Sequence, residues 1–172
     1  ADKIVLNFDE GITTIIGPNG SGKSNIVDAM KWVLGEQSAK SLRGTEMEDV
    51  LFKGNENRRA SNFASVTVTL RNENRILPID FNEVSITRKL FRDGTSEYLI
   101  NNNPARLKDI VDLIADSGIN KSGYSILSQG EIDIVLKNNP VERRVIFEEA
   151  SGIMRFKNRK KIALNKLKSV DE

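Results

Sequence analysis

Apolar and polar positions change rhythm several times along this chain, and each change predicts an element. Ile4-Val5-Leu6-Asn7-Phe8 is short, apolar and β-branched, and predicts a strand; Asp9-Glu10-Gly11 predicts a turn out of it. Gly11-Ile12-Thr13-Thr14-Ile15-Ile16 predicts a second, buried strand. From Asn25 to Leu34 the spacing becomes helical, with apolar residues at 26, 27, 29, 30, 33 and 34, and Gly35 stands where a C-cap belongs. Residues 39–44 and 47–52 read as a loop with one helical turn, and 53–62 as an exposed polar loop.

Period-two patterning then takes over. Residues 63–70, 84–90 and 97–101 predict three strands of an antiparallel sheet, the last two joined across Arg92-Asp93-Gly94-Thr95, whose Asp-Gly pair is a hairpin signal. Arg106 to Ser117 follows Pro104 and predicts a helix. Beyond a loop at 118–123, the pattern predicts an apolar-to-polar run at 124–130, a short helix at 131–137 and a longer one starting at Pro140 with Asn139 as N-cap. Ile153, Phe156, Lys160, Ala163, Leu167 and Val170 repeat with 3-4 spacing. That is a coiled-coil seam of under three heptads, and an amphipathic surface helix fits the pattern equally well.

Composition narrows the chemistry. At 172 residues, 38% hydrophobic and 29% charged, the chain suits one globular domain with a sizeable core. It has no apolar run of membrane-spanning length and no signal-peptide pattern, so no membrane partner is expected, and zero cysteines are compatible with the cytosol. With no cysteine and no histidine, thiolate and imidazole chemistry are excluded and a zinc site is disfavoured. The net charge of +2 conceals a basic end: residues 153–172 carry a net +5 and the remainder −3. A polyanion, an acidic partner or a plain solvated helix face would each explain that end.

Between the second strand and the first helix lies Gly17-Pro18-Asn19-Gly20-Ser21-Gly22-Lys23-Ser24, which fits the phosphate-binding pattern G-x-x-x-x-G-K-S/T without a substitution. An accidental match in a chain of this length arises on the order of once in a hundred, and the strand and helix flanks lower that further. The three glycines permit positive φ and bring backbone N–H groups to phosphate oxygens, and the following helix points its N-terminus at the same anion. Pro18, Asn19, Gly20, Ser21, Gly22, Lys23, Ser24 and Asn25 are therefore the candidate ATP-binding residues. Lys23 is expected to bridge the β- and γ-phosphates, and the Ser24 hydroxyl to ligate Mg²⁺.

The run GPNGSGKSNIVDAMKWVLGEQSAKSLRG, then MEDVLFKG, INNNPARLKDIVDLIADSGI, YSILSQGEID and EEASGI, resembles the N-terminal head segment of the SMC chromosome-organising ATPases. The likeness runs from about Phe8 to Leu167, and the WVLGEQSAKSLRG form resembles the prokaryotic homodimeric members. Related repair ATPases share the phosphate loop but not this continuation. The resemblance implies an α/β P-loop NTPase of the ABC-ATPase type, here its N-terminal lobe over 1–152, with a C-terminal helix starting a coiled coil over 153–172. Within the lobe it implies a P-loop unit at 1–52, the antiparallel β insertion at about 63–103 and a helical Q-loop part at 104–152. It also implies that Gln129 is the Q-loop residue near Mg²⁺ and the attacking water, that Arg43 lies close to the nucleotide, and that Arg106 and Lys108 contact DNA. Lys23, Gln129 and Arg43 thus form the expected catalytic set. The partners implied are the C-terminal half of the same head, a second head across two ATP molecules, a kleisin subunit with its accessory proteins, and double-stranded DNA. The implied location is the cytoplasm, at the nucleoid.

Three departures qualify the likeness. Family members carry residues ahead of the position of Ala1, so the sequence is expected to begin partway into the head. Glu46 occupies a position where a lysine is common in bacterial relatives, which argues against DNA contact there. No run of four apolar residues followed by Asp-Glu exists, since Ile76-Leu77-Pro78-Ile79-Asp80 is interrupted by proline and followed by Phe81, and there is no LSGG-type signature loop. Alone, the chain is expected to bind nucleotide weakly and hydrolyse almost none. Competing functions are a structural module binding DNA or kleisin with nucleotide as a mere ligand, the head of a related repair ATPase, and a transporter nucleotide-binding subunit. The last would keep all its motifs in one compact chain and would not end in a basic helix.

Overall fold

The computed structural model describes residues 3–116 together with Ile126, Arg144, Lys160, Ala163, Leu164 and Leu167. The order along the described chain is α1 (Lys23–Val33), two 3₁₀ turns (Lys40–Leu42 and Met47–Val50), β1 (Phe63–Arg71), β2 (Glu83–Phe91), β3 (Ser96–Ile100), β4 (Asn103–Ala105) and α2 (Leu107–Asp116). These elements fall into two units, residues 1–70 with 85–107, and residues 71–84 with the chain from Lys108.

In the first unit the four strands form one sheet in the order β1-β2-β3-β4. β2 and β3 pair antiparallel, with Arg88 opposite Tyr98 and Lys89 opposite Glu97; the latter pair closes an ion pair at 3.3 Å. Thr67 and Thr87 share a 2.8 Å hydroxyl contact and the rings of Phe63 and Phe91 lie 5.9 Å apart, so positions run in opposite directions along β1 and β2 as well. The β2–β3 turn is the one its Asp-Gly pair predicts: Gly94 takes φ 84°, and Asp93 Oδ1 accepts the Thr95 N–H at 2.9 Å. That backbone hydrogen bond is the main cause holding the Asp93 carboxyl below its ordinary pKa.

β4 is the strand that the pattern of apolar residues does not announce. Asn101 and Asn102 both have positive φ (49° and 62°), and Ile100 pairs with Asn103 across them. Two residues at positive φ make the tight hairpin that matches strand twist, and asparagine tolerates that region best among non-glycines. Pro104, opposite Leu99, fits because β4 lies at the sheet edge.

Trp32, Leu51 and Leu90 form a buried cluster, packed by Leu42, Met47, Val50, Ala64 and Val66. One core thus joins the C-terminal end of α1, both 3₁₀ turns and one face of the sheet. α1 ends as a Schellman motif: Gly35 takes φ 105°, its N–H reaches Trp32 O at 3.1 Å, and the Glu36 N–H reaches Lys31 O at 3.0 Å. Gly35 therefore stands one residue beyond the C-cap Leu34.

The second unit holds the loop between β1 and β2, organised by one side chain. Buried Asn72 donates through Nδ2 to Leu77 O, Ile79 O and Phe81 O at 3.2, 2.9 and 3.0 Å, and its Oδ1 accepts the Leu77 N–H at 2.8 Å. The proline-interrupted segment 76–80 is part of this loop rather than a strand. Ile110, Leu113 and Ile114 of α2 are buried, in keeping with the expected amphipathic helix.

The expected strands at 4–8 and 11–16 carry no strand pairing among the described residues; only the turn at Glu10–Gly11 takes its expected place, as a bend with Gly11 at φ 94°. Ile12 is 98% exposed and Ile16 87%. A strand exists through its neighbour's backbone groups, and apolar content alone does not supply that neighbour. The expected helices at 131–137 and from Pro140, and the run at 124–130, lie outside the described residues apart from Ile126, in a bend, and Arg144, in helical conformation. Of the expected seam, Lys160, Ala163 and Leu167 are helical and exposed.

Candidate nucleotide site

Residues 17–22 arch over the start of α1. The Ser21 N–H reaches Pro18 O at 3.3 Å and closes the turn, while Gly20 and Gly22 take φ of 81° and 87°. Gly17 is not among the positive-φ glycines, contrary to its expected role; it lies instead close under the Ser21 side chain. A Cβ there would stand 2.9 Å from Ser21 Oγ. Gly22 is the N-cap residue of α1 and offers no side-chain cap, and the first turn holds no acidic residue. The helix thus presents its N-terminal N–H groups and positive end without an internal anion to satisfy them.

Lys23 curls back into the arch. Its Nζ donates to Gly17 O at 2.7 Å and Pro18 O at 2.8 Å, and lies 3.5 Å from Ser21 Oγ. The ammonium is thereby held against the loop carbonyls, a point charge of the kind that can meet phosphate oxygens. Ser24 is exposed on the first turn of α1. This donor set — glycine backbone, uncapped helix start, lysine, hydroxyl — fits a nucleoside triphosphate with Mg²⁺. No group of three or more His, Cys, Asp or Glu residues that could hold a metal occurs among the described residues, so protein carboxylates for the metal are not clustered here.

Arg43 comes to the same helix from eighteen residues beyond Asn25. Its Nη2 donates to Asn25 Oδ1 at 3.0 Å, its Nε to Asp28 Oδ2 at 2.9 Å, and Nη2 also contacts that carboxylate. Arg43 itself takes φ 59°, uncommon for a residue with a side chain. Arg43 is the C-cap residue of the first 3₁₀ turn, its N–H on Lys40 O, and the turn after it is built by Asp49, whose Oδ2 accepts the Thr45 and Glu46 N–H groups at 2.8 and 3.1 Å and the Thr45 hydroxyl at 2.9 Å, while Oδ1 takes Lys53 Nζ at 2.7 Å. The Lys53 hydrogen bond, then those backbone bonds, hold Asp49 well below the usual carboxylate range and raise Lys53 in turn. Glu46, the family departure, is the N-cap residue of the second 3₁₀ turn.

The structure therefore brings together residues 17–25 and Arg43. Arg106 and Lys108 are both exposed, just before and at the start of α2. Gln129 lies outside the described residues. Sequence reasoning missed Asp28, whose only signal is its place three residues after Asn25 on one helix face. Buried Arg88 was missed too; it donates through Nη1 to Trp32 O and Glu36 O at 2.8 and 2.6 Å, at the C-terminal end of the helix whose N-terminus faces the loop.

Residues 1–137 match the family model described as the RecF/RecN/SMC N terminal domain. The chain belongs to this family. It is 56% identical over 167 residues to the chromosome partition protein Smc of Bacillus subtilis, and 51% identical over 171 residues to that of Halothermothrix orenii. These alignments cover 97% and 99% of the chain but 14% of either relative, so the chain spans about a seventh of their length. A solved SMC head bound to the C-terminal winged-helix domain of ScpA superposes with a TM-score of 0.80 at 41% identity, covering 89% of this chain and 47% of that one. A head with an extended coiled coil from Pyrococcus furiosus, bound to the C-terminal domain of ScpA, gives 0.79 at 40% identity, over 96% and 42%. The chain thus corresponds to the N-terminal part of an SMC head, with the fold of the N-terminal lobe of an ABC-type P-loop ATPase.

Proposed function

We propose that this chain is the ATP-binding half of an SMC head, which hydrolyses ATP once the C-terminal half and a second head complete the site, and so drives DNA entrapment for chromosome segregation. The observation that carries this reading is Lys23 Nζ, held against Gly17 O and Pro18 O inside a glycine arch that opens onto an acid-free helix start. Pro18 to Asn25 would bind the triphosphate, and Lys23, Arg43 and Gln129 would form this half's catalytic set, with Ser24 and Gln129 toward Mg²⁺. When bound, the metal supplies charge neutralisation on the phosphates. The chain's own residues bind and orient: the arch fixes the phosphate chain, and Lys23 and Arg43 offset its charge. The exposed apolar residues at 4–8 and 12–16 support packing of a further segment against them, which we assign to the C-terminal half of the head. The organisation proposed is a lobe over 1–152 with the start of a coiled-coil arm over 153–172, working in the cytoplasm at the nucleoid with a kleisin partner.

Isothermal titration of ATP into the full-length protein tests the site. Lys23→Ala should weaken binding at least about tenfold, a loss of ~1.4 kcal/mol. Unchanged affinity would rule the loop out as the nucleotide site. DNA contact by Arg106 and Lys108 is supported by their exposure beside one another in sequence. Alanine at both should reduce the slope of log K against log salt by roughly one for each phosphate that is no longer neutralised. An unchanged slope removes them from the DNA surface.

A further inference from the structure

Arg43 is gripped from one side. Nε and Nη2 both meet Asp28 Oδ2, Nη2 also meets Asn25 Oδ1, and Nη1 takes no part in these contacts. Asn25 and Asp28 lie three residues apart on one face of α1. Asn25 in turn is tied to the phosphate loop, its N–H donating to Gly22 O at 2.9 Å. The chain of contacts Asp28–Arg43–Asn25–Gly22 thus leads from a carboxylate on the second turn of the helix to the loop itself. Asp28 is the better shielded partner, 21% exposed at its side chain against 54% for Arg43.

We propose that Asp28 is the positioning residue for Arg43: it holds the guanidinium beside the phosphate loop through Nε and Nη2 and leaves Nη1 for a nucleotide phosphate. The inference rests on the reading of Arg43 as a nucleotide-contacting residue. Its chemistry is one planar guanidinium shared between two anions, since a carboxylate can hold some of its N–H donors while others meet a phosphate. Asp28 has a second effect through space, because a carboxylate on the phosphate-binding helix opposes the charge of the incoming triphosphate. Removing its charge without changing its shape should therefore make binding easier and turnover poorer. A merely structural residue would not separate those two quantities.

The test is steady-state ATP turnover by the full-length protein with its partner segments present. Asp28→Asn should lower KM about threefold and kcat at least about fivefold. Asp28→Glu, which keeps the charge, should recover at least about half of the parent kcat. Arg43→Ala should lose kcat too, and Asp28→Asn combined with it should be no worse than Arg43→Ala alone, because both changes break one coupling. The proposal is overturned if Asp28→Asn leaves kcat and KM within about twofold of the parent. It is equally overturned if KM rises as kcat falls without recovery by glutamate, or if the two losses multiply in the double variant. Full turnover by Lys23→Ala or by Arg43→Ala would instead overturn the reading of the site beneath it.

Discussion

Arg88 lies on β2 with 3% of its surface exposed, between the rings of Trp32 and Tyr98 at 4.8 and 5.3 Å. Its Nη1 donates to the carbonyl of Trp32, in the last turn of α1, and to that of Glu36 just beyond the helix. Burial is the main cause lowering its pKa, opposed by Tyr98 and Glu36; an arginine nonetheless stays charged at neutral pH. A cation at a helix C-terminus is favourable and the flanking rings add to it. Arg88→Ala should cost about 3 kcal/mol, read by urea unfolding of the full head, because it opens a cavity and takes a donor from both carbonyls. In the sequence, Arg88 alternates in step with Val84, Ile86 and Leu90, so the strand pattern sets it on the apolar face, but nothing local says what a charged side chain would meet there. Its partners are the carbonyls at the end of α1, which packs on that face of the sheet, a tertiary fact that no local pattern carries. Lys23, by contrast, was legible from spacing alone, since the phosphate loop is a local structure whose residues are consecutive.

At the scale of elements, α1 was legible from periodicity and from Gly35. Gly35→Ala should destabilise by about 1 kcal/mol, measured by thermal melting, because φ 105° suits a residue without Cβ. The turn that follows Arg43 has its own pH dependence. Asp49 is depressed when folded, so its contribution is present above the ordinary aspartate pKa of 3.8 and is lost as pH falls through the lower folded value. Asp49→Asn should thus be less stable than the parent by a constant margin at neutral pH, with the margin shrinking on acidification below that ordinary value; a margin independent of pH would contradict the assignment. The strands at 63–70, 84–90 and 97–101 were legible because alternation and an Asp-Gly turn are local signals. β4 was hidden by Pro104, which is tolerated only because that strand is an edge. The runs at 4–8 and 11–16 misled in the opposite sense, having strand composition but no paired neighbour among the described residues.

Those two runs set the scale of the whole molecule. Apolar residues as open as Ile4, Val5, Ile12 and Ile16 suit a surface that another segment covers. The same incompleteness appears in the chemistry, because residues 76–80 wrap Asn72 and do not form a strand that could offer an Asp-Glu pair. On the proposed function, a nucleotide-binding loop whose general base and γ-phosphate cap come from other segments would hold a substrate that it does not turn over alone. The central claim is therefore a division of labour, with this chain supplying the binding side of an ATPase site. The direct measurement is ATP hydrolysis by this segment alone, by the segment co-expressed with the C-terminal half of the head, and by that pair carrying Lys23→Ile. The expected result is negligible turnover alone, DNA-stimulated turnover for the pair and none for the Lys23→Ile pair. Turnover by the segment alone at the rate of the pair, or an Lys23→Ile pair as active as its parent, would contradict it.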